Sequence, residues 1–326
     1  ATKWKAVNPT TWYFYLREDV KFSDGTSMTS DDVVFSILRA KQPTSDFKEY
    51  ISSVSSVKAI DKYTVQIKTT EPNPILLNQL SNIFVVSKAW ATKNFSIVPQ
   101  NWNASQETYA STNAMGTGPF KITLREPNTK TVFKKNSKWW GNVEHNLDTI
   151  ELLPIANAAT RVAALLSGEI DIVTDAPVQD LGRIGSSGGH KVESTPQMRT
   201  IFLGMDQGAD KLRSGNTGDN PFKKKEVRQA LYQAIDIKAI QKKVMRGLSE
   251  PAGIITFPGV TGYTKALDQR LPYDPEAAKK LLADAGYPNG FDVELRCPND
   301  RYVNDEAICT AVVGMFGKIG VNVSLN

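Results

Sequence analysis

TTWYFYLREDVKFSDGTSMTSDDVVFSILRA, residues 10–40, carries three local signals in one run. Thr10 to Arg17 is dense in aromatic and β-branched side chains, which suit a half-buried pleated surface, so it reads as a strand. Ser23-Asp24-Gly25-Thr26 supplies turn chemistry. Thr29, followed three residues later by Asp32, resembles a capping box with an acid at its far end, and Val33, Val34, Ile37 and Leu38 then recur at helical spacing. The spacing predicts a helix from Ser30 to Ala40. A strand, a turn and a capped helix in so short a span point to an α/β chain.

The neighbouring sequence repeats these signals. Val54 to Ile60 and Tyr63 to Thr69 flank Asp61-Lys62 and predict a hairpin; Phe120 to Arg125 and Thr131 to Lys135 alternate around Glu126-Pro127-Asn128 and predict a second. Asn101 to Gly118 reads as a long surface loop. Ile150 to Pro154 is a short strand, and Ala158 to Leu166 is a helix stopped by Gly168. Ile170 to Val173, Lys191 to Glu193 and Thr200 to Met205 read as further strands, with a Gly-rich loop from Gly182 to Gly189 among them. Residues 207–222 are polar and rich in Gly and Asn, the composition of a linker. Beyond them come helices over Glu226 to Ala234 and Ile237 to Met245, the second capped by Asp236. Asp274-Pro275 opens another that ends before Gly286. Phe291 to Arg296, Glu306 to Gly317 and Val321 to Leu325 read as strand, helix and strand. Such irregular alternation predicts mixed sheets.

At 326 residues the chain exceeds the size at which one core keeps growing, so two or three lobes are expected. Hydrophobic and charged contents of 40% and 22% are those of an ordinary globular protein and exclude disorder. No run approaches the roughly 18 apolar residues of a membrane-spanning helix. The net charge of +5, from 39 basic and 34 acidic residues, is scattered, with one tight basic run at Lys223 to Lys225; nucleic acid is not an expected partner. Two cysteines and two histidines exclude a thiolate zinc site or a multi-histidine centre, so neither a metal nor a cofactor is expected. The sequence opens on Ala1 without a charged-then-apolar stretch, so any targeting segment is expected to have been removed or left out.

Signatures of catalysis are scarce. Gly185-Ser186-Ser187-Gly188-Gly189 lacks the spacing of a nucleophile elbow, and Gly116-Thr117-Gly118 lacks the third glycine of a dinucleotide fingerprint. An acid pair of the glycosidase kind is neither indicated nor excluded by 34 carboxylates. The segment Asn299-Asp300-Arg301-Tyr302-Val303-Asn304-Asp305 is more informative. It joins a strand end to a helix start, where α/β proteins place ligand groups, and an arginine there can fork onto a carboxylate. The alternative is that Arg301 pairs with Asp300 or Asp305 at the surface. Cys297 and Cys309 flank this segment and read either as a bridge or as two buried thiols.

Taken together, the motifs resemble the family 5 extracellular solute-binding proteins, the peptide and nickel receptors of ABC importers. The match runs through Trp12-Tyr13-Phe14-Tyr15-Leu16-Arg17, Val20-Lys21-Phe22-Ser23-Asp24-Gly25-Thr26 and Thr29-Ser30-Asp31-Asp32-Val33-Val34-Phe35-Ser36. It continues through Gly116 to Phe120, Trp139-Trp140-Gly141, Leu147-Asp148 and Ser167-Gly168-Glu169-Ile170-Asp171. Val227-Arg228-Gln229-Ala230, Ala234-Ile235-Asp236, Tyr273-Asp274-Pro275-Glu276-Ala277 and Ala285-Gly286-Tyr287-Pro288 complete it.

The resemblance implies an α/β fold of the type II periplasmic-binding-protein kind, with mixed sheets, two lobes and a small inserted domain that closes on its ligand by hinge motion. On that pattern 1–87 is the small inserted domain, 88–207 part of the first ligand-binding lobe and 208–326 part of the second, and the chain is a fragment lacking both terminal segments. The implied function is capture of a di- or oligopeptide, or a similar small carboxylate-bearing solute, and delivery to a membrane permease on which the protein docks. Within the scaffold the alternatives are a nickel chelate, an opine or a sugar as cargo, or an enzyme or sensory receptor. Arg301 and Tyr302 match the positions that receive a peptide carboxylate in dipeptide-binding members. The resemblance further implies that Tyr302 and Asn304 add hydrogen bonds, that Arg199 and Phe202 match positions lining the cleft, and that Phe47 is a candidate for a lid contact. Trp139 and Trp140 are read as core. A monomeric, exported protein, periplasmic or at the cell surface, is the implied setting.

Overall fold

β1 (Lys3–Asn8), β2 (Thr11–Tyr15), β3 (Val54–Asp61) and β4 (Thr64–Thr69) form an antiparallel sheet of order β1-β2-β4-β3 in the computed structural model, which describes residues 1–104 and 107–326. The register sets Trp12 opposite Ile67 and Phe14 opposite Val65, with Val57 opposite Ile67 on the other side. Because side chains alternate across a strand, these residues share one face. Val65 and Ile67 on it are buried, together with Leu16, Phe22, Ile37, Ile51 and Leu76.

α1 (Ser30–Ala40) covers that face and begins where the capping signal places it. The Asp32 carboxylate accepts the Thr29 backbone N–H at 2.9 Å and its hydroxyl at 3.1 Å. Its second oxygen accepts the Lys88 N–H at 2.9 Å, which ties α1 to α3 (Lys88–Lys93). α2 (Leu76–Leu80) and α4 (Tyr109–Thr112) are short additions, and part of the loop expected over 101–118, Ser105 and Gln106, lies outside the described residues. β5 (Phe120–Glu126), β6 (Lys130–Lys135) and β7 (Thr149–Leu152) form a second antiparallel sheet. Trp140 donates its indole N–H to the Thr117 carbonyl at 3.1 Å and carries the Arg17 guanidinium 4.5 Å above its ring, joining three of the motifs.

The chain divides into two compact units, Ala1–Pro154 and Ile155–Asn326. The second holds α5 (Ala158–Ser167), capped by Asn157 and stopped at Gly168 with φ +77°, followed by α6 (Leu181–Ser186). The Gly-rich stretch read as a loop is thus partly helical, because Ile184 is buried against Val162 and Leu165, and that burial outweighs the helix cost of two glycines. The runs at Ile170, Lys191 and Thr200 are not hydrogen-bonded strands: among the described residues no backbone lies in register with them, and a strand is defined by its partner.

α7 (Lys225–Gln233), α8 (Ile237–Ala239) with a π-turn over Ile240–Val244, and α9 (Pro275–Asp284) pack with a parallel strand pair, β8 (Phe291–Leu295) and β9 (Val321–Leu325), connected by α10 (Asp305–Gly317). The sheets of the chain therefore include both antiparallel and parallel pairings. Val227, Ala230, Ala278, Leu282, Phe291 and Val321 make the centre of this core. The stretch 207–222 is bound to the same unit: buried Asn220 donates to the carbonyls of Asp206 at 2.8 Å and Ala209 at 2.9 Å.

Tyr287 packs its ring 5.3 Å from that of Phe291 and donates its hydroxyl to Asp219 at 2.9 Å. Burial, reinforced by the neighbouring carboxylate, pushes the phenol up from 10.0 to about 12. The unfolded chain then releases this proton at lower pH than the folded one, so the stabilisation is complete below pH 10 and is lost as pH rises toward about 12. Tyr287→Phe is expected to flatten the fall in melting temperature over that interval; an alkaline limb identical in both proteins would contradict the assignment.

Candidate functional site

The loop from Pro298 to Asn304 leaves the end of β8 and enters α10, and its backbone is held at several points. The disulfide Cys297–Cys309 brackets it, with Cα atoms 6.5 Å apart. Asp305, 6% exposed, turns one carboxylate oxygen to the N–H groups of Arg301 and Tyr302, each at 3.0 Å, and the other to the Glu306 N–H at 2.9 Å. Asn304 caps α10 in the left-handed region, at φ 55°, a conformation asparagine tolerates better than most residues. Its side-chain N–H donates to the Val244 carbonyl at 2.9 Å, at the end of the π-turn. Strained backbone held by surrounding bonds is a common way of presenting a site.

These bonds change the reading of the acids. Asp305 is engaged by backbone N–H groups rather than by the Arg301 guanidinium, and among the described residues Arg301 makes no ion pair. Arg296, at the base of the loop, contrasts with it: its Nε donates to Glu294 at 2.7 Å, and that bond, with one from Asn326, holds the Glu294 carboxyl below its ordinary range. Arg301 is exposed, and its Cζ lies 5.3 Å from the centroid of the Tyr302 ring.

Arg199 reaches the same ring from a different segment, with Cζ 5.0 Å from the centroid. Its segment is fixed by the Thr200 hydroxyl, which donates to the Ile255 carbonyl at 2.8 Å, and by Leu203 and Met205, which pack on the core that also contacts Val303. Ile201 and Phe202 are both exposed on this segment, Phe202 at 60%, while Leu203 and Met205 are partly buried. The structure thus brings Arg199, Arg301 and Tyr302 together. Asn304 adjoins them with its amide nitrogen already bonded, whereas Phe202 stands on the same segment as Arg199 without touching the cluster through an aromatic pair. Phe47 belongs to the first unit, where its ring lies 6.2 Å from that of Tyr50.

Asp305 as the organiser of the loop is absent from the sequence reading, which treats it as a surface ion partner. The signal was present in its place one residue into α10, where a carboxylate meets unbonded N–H groups. The role of Val244 has no sequence signal, because a main-chain carbonyl is offered by every residue type. Among the recesses open in the surface of the described residues, two bear on where the site lies. One, of about 570 Å³, lies in the first unit between the starts of α1 and α3 and holds none of these residues; the other, of about 500 Å³, is lined by Arg296, Cys297, Pro298 and Asn326 at the base of the loop.

On a chain of α/β units, a loop held by backbone bonds thus presents an arginine that makes no ion pair among the described residues beside a tyrosine. Residues 1–326 match the family model of bacterial extracellular solute-binding proteins, family 5 Middle, and the chain belongs to that family. Over 290 residues it is 28% identical to the glutathione-binding protein GsiB of Escherichia coli strain K12, an alignment covering 87% of this chain and 52% of that protein. The structure of AgaA from A. tumefaciens R10, in complex with agropinic acid, matches with a TM-score of 0.77 at 29% identity, over 100% of this chain and 62% of that one. AppA from Bacillus subtilis, in complex with a nonapeptide, matches with a TM-score of 0.83 at 22% identity, over 100% of this chain and 64% of that one. The fold is accordingly the type II periplasmic-binding-protein-like fold. The chain spans about half the length of the curated relatives it matches. Among the described residues no helix is long and apolar enough to cross a membrane.

Proposed function

We propose that this chain belongs to the substrate-binding component of an ABC importer and that it takes a small carboxylate-bearing solute, a di- or oligopeptide or a close analogue. Family membership supports the class. The observation that carries the ligand chemistry is Arg301: a guanidinium without an ion pair among the described residues, on a loop whose backbone Asp305, Asn304 and the disulfide hold. A guanidinium presents donors that match both oxygens of a carboxylate, and a fixed loop lowers the ordering cost of binding. Tyr302 supplies an aromatic wall and a hydroxyl beside it. Asn304 contributes through its amide oxygen, and Phe202 and Phe47 supply apolar contacts.

In the same reading 1–87 form a small inserted domain, and 88–207 and 208–326 belong to the two ligand-binding lobes, which close on the solute and present it to a membrane permease. The protein acts as an exported monomer, outside the cytoplasmic membrane, and its chemistry is reversible binding without turnover. The test is calorimetric titration with Ala-Ala and with its carboxy-terminal amide. The free acid is expected to bind at least about ten-fold more tightly, the effect of one charge-assisted hydrogen-bonded pair, and to be recovered unchanged. Equal affinity for acid and amide would overturn the carboxylate reading, and recovery of free alanine would overturn the assignment as a carrier.

A further inference from the structure

Two guanidiniums, not one, lean on the ring of Tyr302. Cζ of Arg199 lies 5.0 Å and Cζ of Arg301 5.3 Å from its centroid, so the two cations are no farther apart than the sum of those distances. Both residues are exposed, and neither makes an ion pair among the described residues. The nearby acids do not neutralise them. Asp305 faces the backbone N–H groups of its own loop, Glu294 is paired with Arg296, and Asp300 meets neither arginine. The ring offers each cation a weak attraction, which offsets part of their mutual repulsion without removing it.

The two arginines come from separately fixed segments, one bonded through Thr200 to Ile255 and the other through Asp305 and Asn304, so the backbone that carries each of them is held in place. A single carboxylate balances one of the two charges. We infer that the site is built for a ligand with two carboxylates, Arg301 receiving one and Arg199 the other, with Tyr302 as the wall between them. The inference rests on the proposed carboxylate role of Arg301 and adds to it the charge of the cargo.

The test compares Ala-Glu with Ala-Gln, two dipeptides of nearly equal size that both keep the terminal carboxylate. Ala-Glu is expected to bind about ten-fold more tightly, as for one added charge-assisted pair. Arg199→Gln is expected to bring the two affinities within about two-fold, chiefly by weakening Ala-Glu, and Arg199→Lys to retain part of the preference because the charge remains. If Arg199 only supports the ring, Arg199→Gln will shift both affinities alike and leave their ratio intact, which overturns the inference. Equal binding of the two dipeptides to the unaltered protein overturns it as well. Either result leaves the Arg301 reading standing, since that depends on the acid and amide comparison. Failure of both dipeptides to bind overturns the two together. Arg199 is exposed, so an unchanged melting temperature will show that each variant is folded.

Discussion

Arg301→Ala is expected to weaken binding of a carboxylate-bearing ligand by about 2–5 kcal/mol, the range for removing one partner of a buried charge pair. The free protein contains no compensating partner for this guanidinium among the described residues, so little is recovered when it is removed. The loop it stands on is held through Asp305 and Asn304 by backbone and amide bonds that do not involve its side chain, so the remaining contacts keep their geometry. Arg301→Lys should recover only part of the loss, because an ammonium lacks the planar fork. Calorimetry with a free-acid dipeptide measures the difference, and unchanged affinity in the alanine variant would sink the role assigned to Arg301. An exposed side chain contributes little to folding, so thermal stability should change by less than about 0.5 kcal/mol.

Gly290→Ala should destabilise the second unit by about 3 kcal/mol or more, a loss expected from left-handed strain and overpacking together. Gly290 stands at φ +72°, immediately before β8, and a Cβ built there would lie 1.8 Å from the Gly320 carbonyl oxygen, itself just before β9. The obstacle is main chain, so relief requires the two strand starts to separate. Phe291 and Val321, the next residues and a register pair, are both fully buried, and they would move with them. Chemical denaturation of the two proteins will check this; stability equal to that of the unaltered chain would show that the strand starts are looser than the structure has them. β8 also delivers the Arg301 loop, so the variant is expected to lose ligand affinity even where it remains folded.

Local chemistry made much of this architecture legible. Thr29 with Asp32 places the start of α1, Asp274-Pro275 and Gly286 bracket α9, and both hairpins follow from alternation around a polar turn. The errors share a different cause. β1 escapes notice because all six of its residues are exposed and its pairing is supplied by β2, while Thr200 to Met205 has the apolar composition of a strand without a ladder. Pairing depends on distant residues, and composition in a short window does not report it. The site divides the same way. Arg301 was readable from its place between a strand end and a helix start, whereas its meeting with Arg199 at the ring of Tyr302 depends on how two remote segments are packed.

The bridge between Cys297 and Cys309 has one further consequence. The residues proposed to meet the ligand on the β8 to α10 connection, Arg301, Tyr302 and Asn304, all lie inside the covalent ring that it closes. A protease that cuts within this ring cannot separate the pieces: both new ends stay attached through sulfur, and the chain keeps its mass apart from one added water. Under oxidising conditions a nicked protein would therefore migrate as an intact one, and the cut would show itself only after reduction. Exposure of this loop to a protease under oxidising conditions thus carries a smaller penalty than exposure of an unbridged loop of the same length.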